Sequence, residues 1–391
     1  LMNICFIAWE HFGVGGVSRV LTRIMNALCR EHEISVYCLR RPPLENAYGL
    51  DLENIRFFHH EMNVYEKMRR SVMDRLVTRT PLFSSSAGAR AYAFLRYTHS
   101  FKKRLTSHIN RHQYDAVVFG SGFEDSLLLA LLRPRLSPRT RIISWSHAAY
   151  EDYFGFKGPH FSRYFRHALK RFYHRFDQIV VLSDHDRRNF ETRQHLATRR
   201  IYNPASFTAE RHSALTSKTF VFAGSLSSHK GADLALVAFG EFSRNNGEWN
   251  LHVYGDGPLR PWMEEFIREH GLQSRVRLHG SHTAMEREYP KHAILLFPSR
   301  CEGFGLVQIE AMSCGLPVIA ADIPICRELI RDSGAGRLFP AGDSRALCGA
   351  MHSMAGEDLA LYARKARAQE QFFTLERIIR EWNGMLKEVN P

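Results

Sequence analysis

Two glutamates, Glu302 and Glu310, stand in the run Phe297-Pro298-Ser299-Arg300-Cys301-Glu302-Gly303-Phe304-Gly305-Leu306-Val307-Gln308-Ile309-Glu310-Ala311-Met312. There a buried strand pattern hands over to a helical one, so Glu302 falls in the turn and Glu310 in the helix. Ionised carboxylates only accept hydrogen bonds and therefore suit hydroxyls better than phosphates, whereas Gly303 and Gly305 let backbone N–H groups approach a diphosphate. The combination predicts a nucleotide-sugar site. Spacing alone is also compatible with a plain turn residue and a solvated helical one.

Three other clusters bear on chemistry. Gly13-Val14-Gly15-Gly16-Val17 follows the first apolar run and opens a helix with Val17, Val20, Leu21, Ile24, Met25 and Leu28 at helical spacing; the free N–H groups of a helix start suit a phosphate or a closely approaching sugar. A dinucleotide fingerprint would need glycine where Ser18 stands, which disfavours NAD. Lys230 lies in Gly224-Ser225-Leu226-Ser227-Ser228-His229-Lys230-Gly231, and His147 follows an apolar strand. Alone, the first reads as a surface lysine and the second as a structural histidine. Asp184-His185-Asp186 looks like a metal-binding pair of aspartates, but Ser183 can cap the next helix and place both in its first turn, where they suit the helix dipole. No metal is expected there.

The elements that must position these residues are βαβ units, because short β-rich apolar runs alternate with helical patterns. In the first half the strands are Asn3 to Ala8, Glu33 to Leu39, Ile55 to His59, Asp115 to Gly120, Arg141 to Trp145 and Gln178 to Ser183. Residues 61 to 113 interrupt the alternation with helical, basic sequence. In the second half they are Thr219 to Gly224, Trp249 to Gly255, Arg275 to Gly280, Ala293 to Ser299 and Pro317 to Asp322. Asn203-Pro204-Ala205-Ser206 and the polar run to Lys218 form the linker. The expected organisation is an α/β chain of two Rossmann-like, doubly wound domains, 1–205 and 206–373, with a terminal helix (Thr374 to Val389) in residues 374–391 packing back on the first.

The formal charge of +13 over 391 residues is uneven: residues 1 to 205 hold 32 Lys+Arg against 18 Asp+Glu, and the remainder 21 against 22. Between Lys67 and Arg111 eleven basic residues meet one acid, Asp74. Such a stretch attracts a polyanion or an anionic membrane surface, unless it is simply a solvated face. No nucleic-acid-binding motif accompanies it. Seven cysteines without paired or zinc-like spacing point to a reducing cytoplasm. No apolar run reaches the ~20 residues of a spanning helix and the start does not read as a signal peptide, so a soluble protein is expected, peripheral on the inner membrane face at most.

The quoted motifs resemble the signature of retaining glycosyltransferase family 4. Glu-Gly-Phe-Gly-Leu…Glu-Ala-Met at 302–312 is joined by Gly15-Gly16, Trp145-Ser146-His147, Val181-Leu182-Ser183, Asn203-Pro204, Gly224 through Gly231, Gly255-Asp256-Gly257 and Gly315-Leu316-Pro317-Val318-Ile319. Residues 144–147, 202–204 and 247–252 are most similar to bacterial lipopolysaccharide core galactosyl- and glucosyltransferases. The resemblance implies a GT-B fold, its two domains facing a cleft, and transfer of a hexose from a UDP-sugar to an anionic cell-surface glycan or glycolipid, without metal or other cofactor.

It implies that Glu302 contacts the donor sugar, Glu310 the ribose, and Lys230 the diphosphate. Gly303, Phe304, Gly305 and Leu306 cap the phosphates. Gly224, Ser225, Gly255 and Gly280 line the nucleotide-sugar pocket, Gly16 forms the opposite wall, and His147 lies by the reacting centre. Ser225 departs from the family's usual arginine; either Arg300 substitutes or backbone N–H groups hold more of the donor. A sugar-nucleotide epimerase and a basic nucleic-acid-binding protein are the competing readings.

Overall fold

The computed structural model describes residues 1–8, 15–39, 46–60, 62–79, 85–154, 167 and 170–388. Gly13, Val14 and the expected helix end at Val389 lie outside them. The chain divides into two compact units, Leu1–Asn203 with Leu375–Pro391, and Pro204–Thr374.

The first unit is built on β1 (Asn3–Ala8), β2 (Glu33–Cys38), β3 (Ile55–His59), β4 (Ala116–Ser121), β5 (Arg141–Ser146), β6 (Gln178–Val181) and β7 (Arg199–Arg200), all parallel and in the order β3-β2-β1-β4-β5-β6-β7. Its strands are buried runs such as Ile-Ile-Ser-Trp-Ser in β5, as a sheet covered on both faces requires. The helices are α1 (Gly16–Leu28), α2 (Val64–Arg79), α3 (Ser86–Arg96), α4 (His99–His112), α5 (Phe123–Leu132), α6 (Tyr150–Phe154) and α7 (Asp184–Gln194). In α1, Val20, Leu21, Ile24, Met25 and Leu28 are buried, the 3.6-residue stripe of an amphipathic helix.

The second unit holds β8 (Thr219–Ala223), β9 (Asn250–Tyr254), β10 (Val276–Gly280), β11 (Ile294–Phe297), β12 (Val318–Ala321) and β13 (Gly336–Phe339), parallel in the order β10-β9-β8-β11-β12-β13. Its longer helices are α8 (Ala232–Phe242), α9 (Arg260–Glu269), α10 (Leu306–Ser313), α11 (Ser344–Ala355) and α12 (Leu359–Gln369). Counted from its own first strand, each sheet runs 3-2-1-4-5-6, the first unit adding β7 at its edge. The order reverses between β1 and β4 and between β8 and β11, and ligands of such sheets bind outside the strands' carboxyl ends at that point.

The terminal helix α13 (Leu375–Lys387) belongs to the first unit. Its fully buried Trp382 meets Trp145 at 4.7 Å and Phe6 at 6.3 Å. Asn383 Oδ1 lies 2.9 Å from His32 Nε2, and Arg141 donates to the carbonyl of Leu386 at 2.8 Å, satisfying an end the helix cannot satisfy itself. Strands β7 and β13 were not expected from sequence.

Candidate functional site

At the switch point of the second unit, β8 leads into the loop 224–231 and β11 into the loop 298–305. Gly231 caps α8 with φ +73, and a Cβ there would stand 2.1 Å from the Pro298 carbonyl oxygen, so the loops touch backbone to backbone. Arg300 N–H donates to the His229 carbonyl at 3.0 Å, fastening them further. This approach brings Lys230 Nζ to 2.6 Å from Glu302 Oε2, with side chains 31% and 12% exposed. The ammonium and carboxylate expected for phosphate and sugar are thus neighbours.

Gly305 caps α10 with φ +76, no side chain caps that helix, and its first turn carries no acid. A Cβ on Gly305 would lie 2.6 Å from Phe297 and 3.2 Å from Glu302 Cγ, so the left-handed turn leaves room for glycine alone. The result is an uncapped helix start, at Leu306, beside the Lys230–Glu302 pair, suited to an anion. Gly303 is half-buried, and Phe304 is buried against Phe373 at 6.1 Å. Glu310 is buried, not solvated, and accepts from the Tyr289 hydroxyl at 3.3 Å.

The glycines at the strand ends are required by crowding. A Cβ on Gly255 would fall 1.8 Å from the Gly224 carbonyl oxygen, Gly224 N–H donates to Tyr254 at 2.9 Å, and Gly255 N–H donates to Gly280 at 2.7 Å. The carboxyl ends of β8, β9 and β10 are therefore stitched side by side. Ser225 is exposed on this rim. Arg300, the candidate to stand in for the arginine missing there, has its guanidinium on Asp233 at 2.9 and 2.7 Å and also bonds the Ser228 carbonyl.

In the first unit Gly16 opens α1 after Gly15, whose N–H is received by the Tyr48 hydroxyl at 3.0 Å; among the described residues no side chain caps this helix and its first turn holds no acid. His147 follows β5 with its ring 4.4 Å from Trp145. Among the described residues its buried Nε2 has no hydrogen-bond partner, and burial pushes its pKa down to about 3, so the imidazole is neutral at physiological pH. The turn that carries it is pinned by two carboxylates: Asp152 accepts from Ala149 N–H at 3.0 Å and Asp186 from Tyr150 N–H at 2.8 Å.

Ser183 accepts from Asp186 N–H at 3.0 Å and Asp184 pairs with Arg187 at 3.0 Å, the helix-start arrangement read from sequence. The same segment also holds a group of possible metal ligands, since atoms of Glu151, His185 and Asp186 lie within 4.8 Å of one another. Glu151 Oε1 and His185 Nε2 are 2.6 Å apart, a hydrogen bond that an ion would have to open. Burial raises the Asp186 pKa to about 7.

Residues outside the sequence reading complete the geometry. Gln308, fully buried, donates from Nε2 to the Phe304 carbonyl at 2.7 Å and receives Cys326 Sγ at 3.6 Å, fixing the loop that carries Glu302. Tyr254 and His279 stack at 4.3 Å next to Gly255 and Gly280. Gln308 was visible in the motif string, but nothing in its spacing marks a buried amide. Chemically, the second unit presents one cation, one acceptor-only carboxylate and a free helix start at the carboxyl ends of two strands. That set suits a sugar diphosphate.

Residues 14–206 match the family described as Glycosyltransferase Family 4 and residues 217–357 the family described as Glycosyl transferases group 1. Both matching families are glycosyltransferases. A glycosyltransferase of Haemophilus influenzae is 24% identical over 99% of this chain and 100% of its own. A lipopolysaccharide 1,6-galactosyltransferase of Salmonella typhimurium is 30% identical over 36% of this chain and 42% of its own, and an exopolysaccharide phosphotransferase of Streptomyces coelicolor is 30% identical over 54% and 23%. The glycosyltransferase chain thus spans less than half the length of the latter two. Among solved structures, Anabaena HepE in complex with UDP superposes with a TM-score of 0.73 at 18% identity, covering 99% of this chain and 100% of that one. The lipopolysaccharide outer core galactosyltransferase WaaB superposes with a TM-score of 0.70 at 18% identity over 98% of each. These likenesses establish the GT-B fold.

Proposed function

We propose that this glycosyltransferase transfers a hexose of the galactose or glucose type from a UDP-sugar to a lipopolysaccharide core or another anionic cell-surface glycan, with retention of configuration and without a metal ion. The observation that carries the proposal is the Lys230–Glu302 pair, 2.6 Å apart beside the uncapped start of α10. UDP is favoured over GDP because HepE, of the same fold, is solved with UDP and with UDP-glucose. The Salmonella galactosyltransferase supports a lipopolysaccharide acceptor.

As the glycosidic bond of the donor lengthens, the sugar gains oxocarbenium character and the leaving diphosphate gains negative charge. Lys230 and the amides at Phe304, Gly305 and Leu306 are fixed before that charge appears, so they stabilise the transition state more than the ground state. Glu302 accepts donor-sugar hydroxyls, Glu310 the ribose hydroxyls, and Gly224, Ser225, Gly255, Gly280 and Gly303 shape the pocket. In the first unit His147, neutral, can offer a hydrogen bond without charge, and Gly16 opens a helix whose start suits an anionic or sugar group. Retention rests on the family resemblance, with the leaving phosphate deprotonating the acceptor. The enzyme works in the cytoplasm, on an acceptor presented at the inner membrane face.

The test is to incubate the protein with a panel of UDP- and GDP-hexoses, with and without a phosphorylated core oligosaccharide, and to analyse products by mass spectrometry and the new anomeric linkage by NMR. A single UDP-hexose giving an α-linked product is expected. Conversion of the UDP-sugar to its epimer without acceptor would replace the proposal with the epimerase reading. Duplex or single-stranded oligonucleotide binding at physiological salt, without sugar transfer, would replace it with the nucleic-acid reading.

A further inference from the structure

The basic segment between Lys67 and Arg111 is not one uniform cationic face. Arg96, only 3% exposed, is held by Asp74 at 2.9 Å and Asp125 at 3.4 Å; Arg70 reaches Asp125 at 3.1 Å; Arg104 binds Glu66 at 2.7 Å. Lys102 is buried, its Nζ donating to the Phe94 carbonyl at 3.2 Å. These cations cement α2, α3, α4 and α5 together. The inward pairing has a corollary for the outside. Both acids of α2 lie off its outer face: Glu66 is buried, and Asp74, 38% exposed, is held by Arg96 and Arg70.

That outer face is apolar. Val64 is 82% exposed, Tyr65 58%, Met68 57%, Val72 47% and Leu76 37%. At ~100° per residue these five side chains cover an arc of roughly 120° on one side of the helix. Exposed Arg75 falls within that arc, between Val64 and Met68, and exposed Lys67 lies roughly 60° beyond its edge, while Glu66 and Met73 lie on the other side and are buried. Arg69 Nε donates to the Leu95 carbonyl at 2.6 Å, which brings the end of α3 to the other edge, and there Phe94 is 65% and Leu95 38% exposed. A soluble protein ordinarily scatters its exposed apolar residues singly; a contiguous stripe marks a surface that is covered in use.

We propose that the outer face of α2, continued by Phe94 and Leu95 of α3, docks flat on an anionic lipid bilayer. A basic amphipathic helix lies in the interface with apolar side chains among the acyl chains and cations at the headgroups. The charge pattern favours lipid over a second copy, because a two-fold contact through this face would bring the Lys67 and Arg75 cations of both copies together. It favours lipid over nucleic acid because a phosphate backbone leaves the apolar stripe uncovered. The inference deepens the membrane-presented acceptor of the proposed function and depends on that reading only for its purpose; its test reads lipid binding apart from sugar transfer.

The full-length protein is spun with vesicles of phosphatidylglycerol and phosphatidylcholine, and with vesicles of phosphatidylcholine alone. Binding to the anionic vesicles at least about tenfold tighter than to the neutral ones is expected. Met68→Asp with Val72→Asp, and separately Lys67→Glu with Arg75→Glu, are expected to weaken it by at least about tenfold while UDP release from donor stays at the wild-type rate. Phe94→Ser, remote from the α2 stripe in sequence, provides a milder second variant should either pair fold poorly. Wild-type protein that pellets with neither vesicle, or variants that pellet as the wild type does, overturn the proposal. So does a dimer in light scattering that Met68→Asp with Val72→Asp converts to monomer, which would give the surface to a second copy. Loss of UDP release in every protein with lipid binding intact would count against the proposed reaction and not against the docking surface.

Discussion

Lys230 and Glu302 pair at 2.6 Å, and in the proposed function the donor exchanges this contact for its own phosphates and hydroxyls. In the proposed function Lys230 faces the leaving diphosphate, so Lys230→Ala is expected to lower kcat/KM by about a hundredfold or more, of the order seen when a fixed transition-state donor is removed. Gln308 touches no substrate in this account. As a positioning residue it should act through the loop: Gln308→Ala is expected to lower turnover about tenfold and raise KM for the donor, with Gln308→Glu failing to rescue because a carboxylate cannot donate to the Phe304 carbonyl. Asp186 gives a pH signature. Its carboxyl is held neutral to about pH 7 by burial while the unfolded chain ionises near the ordinary value of 3.8. The folded state therefore binds more protons, and stability present at low pH is lost as pH rises toward 7. His185, raised by its bond to Glu151, adds in the same direction. Asp186→Asn should flatten the fall in denaturation midpoint between about pH 4 and 7; an unchanged slope would place the coupling elsewhere. At this scale Glu302 was marked by its type in a glycine-rich turn, whereas Lys230, by itself a surface lysine, was marked only by the family resemblance. The sequence concealed Gln308, Tyr289 and Asp186, whose roles come from burial beside partners distant in the chain, and it left Arg300 open although Asp233 occupies it.

Elements were legible where periodicity and burial agree. The buried strands β1, β4, β5, β8 and β11 and the amphipathic α1 stand close to their expected positions. Strand β7 is two residues, Arg199–Arg200, and β13 is Gly-Arg-Leu-Phe; neither has an alternating or wholly apolar pattern, and each exists because a parallel neighbour offers it hydrogen bonds. The strand-end glycines show the same dependence on neighbours. Gly255→Ala is expected to destabilise the second unit because its Cβ would overlap the Gly224 carbonyl, and thermal unfolding would register it. In the first unit, Trp382→Ala should cost on the order of 3–5 kcal/mol, the range for emptying a buried aromatic site, measured by denaturant unfolding. A much smaller loss would mean that α13 adds little to the sheet beneath it.

At the scale of the molecule, one strand order is used twice, and each copy leaves a glycine-led, uncapped helix start at its switch point: Gly16 in the first unit, Leu306 in the second. The two copies differ in charge. The acids and bases of the second unit nearly balance, whereas the first carries the excess, part of it spent internally and part displayed on α2. In the proposed function the second unit holds a small anionic donor and the first meets a larger anionic partner, a division this charge distribution suits. The proposed function requires that the carboxyl ends of β8 and β11 hold a UDP-sugar for transfer without metal. Its most direct test follows UDP release from a panel of UDP-hexoses in EDTA for the wild type, Glu302→Ala and Lys230→Ala. Release from one UDP-hexose by the wild type, lost in both variants, is the predicted result; release that survives both substitutions, or that appears only when a divalent ion is restored, would contradict it.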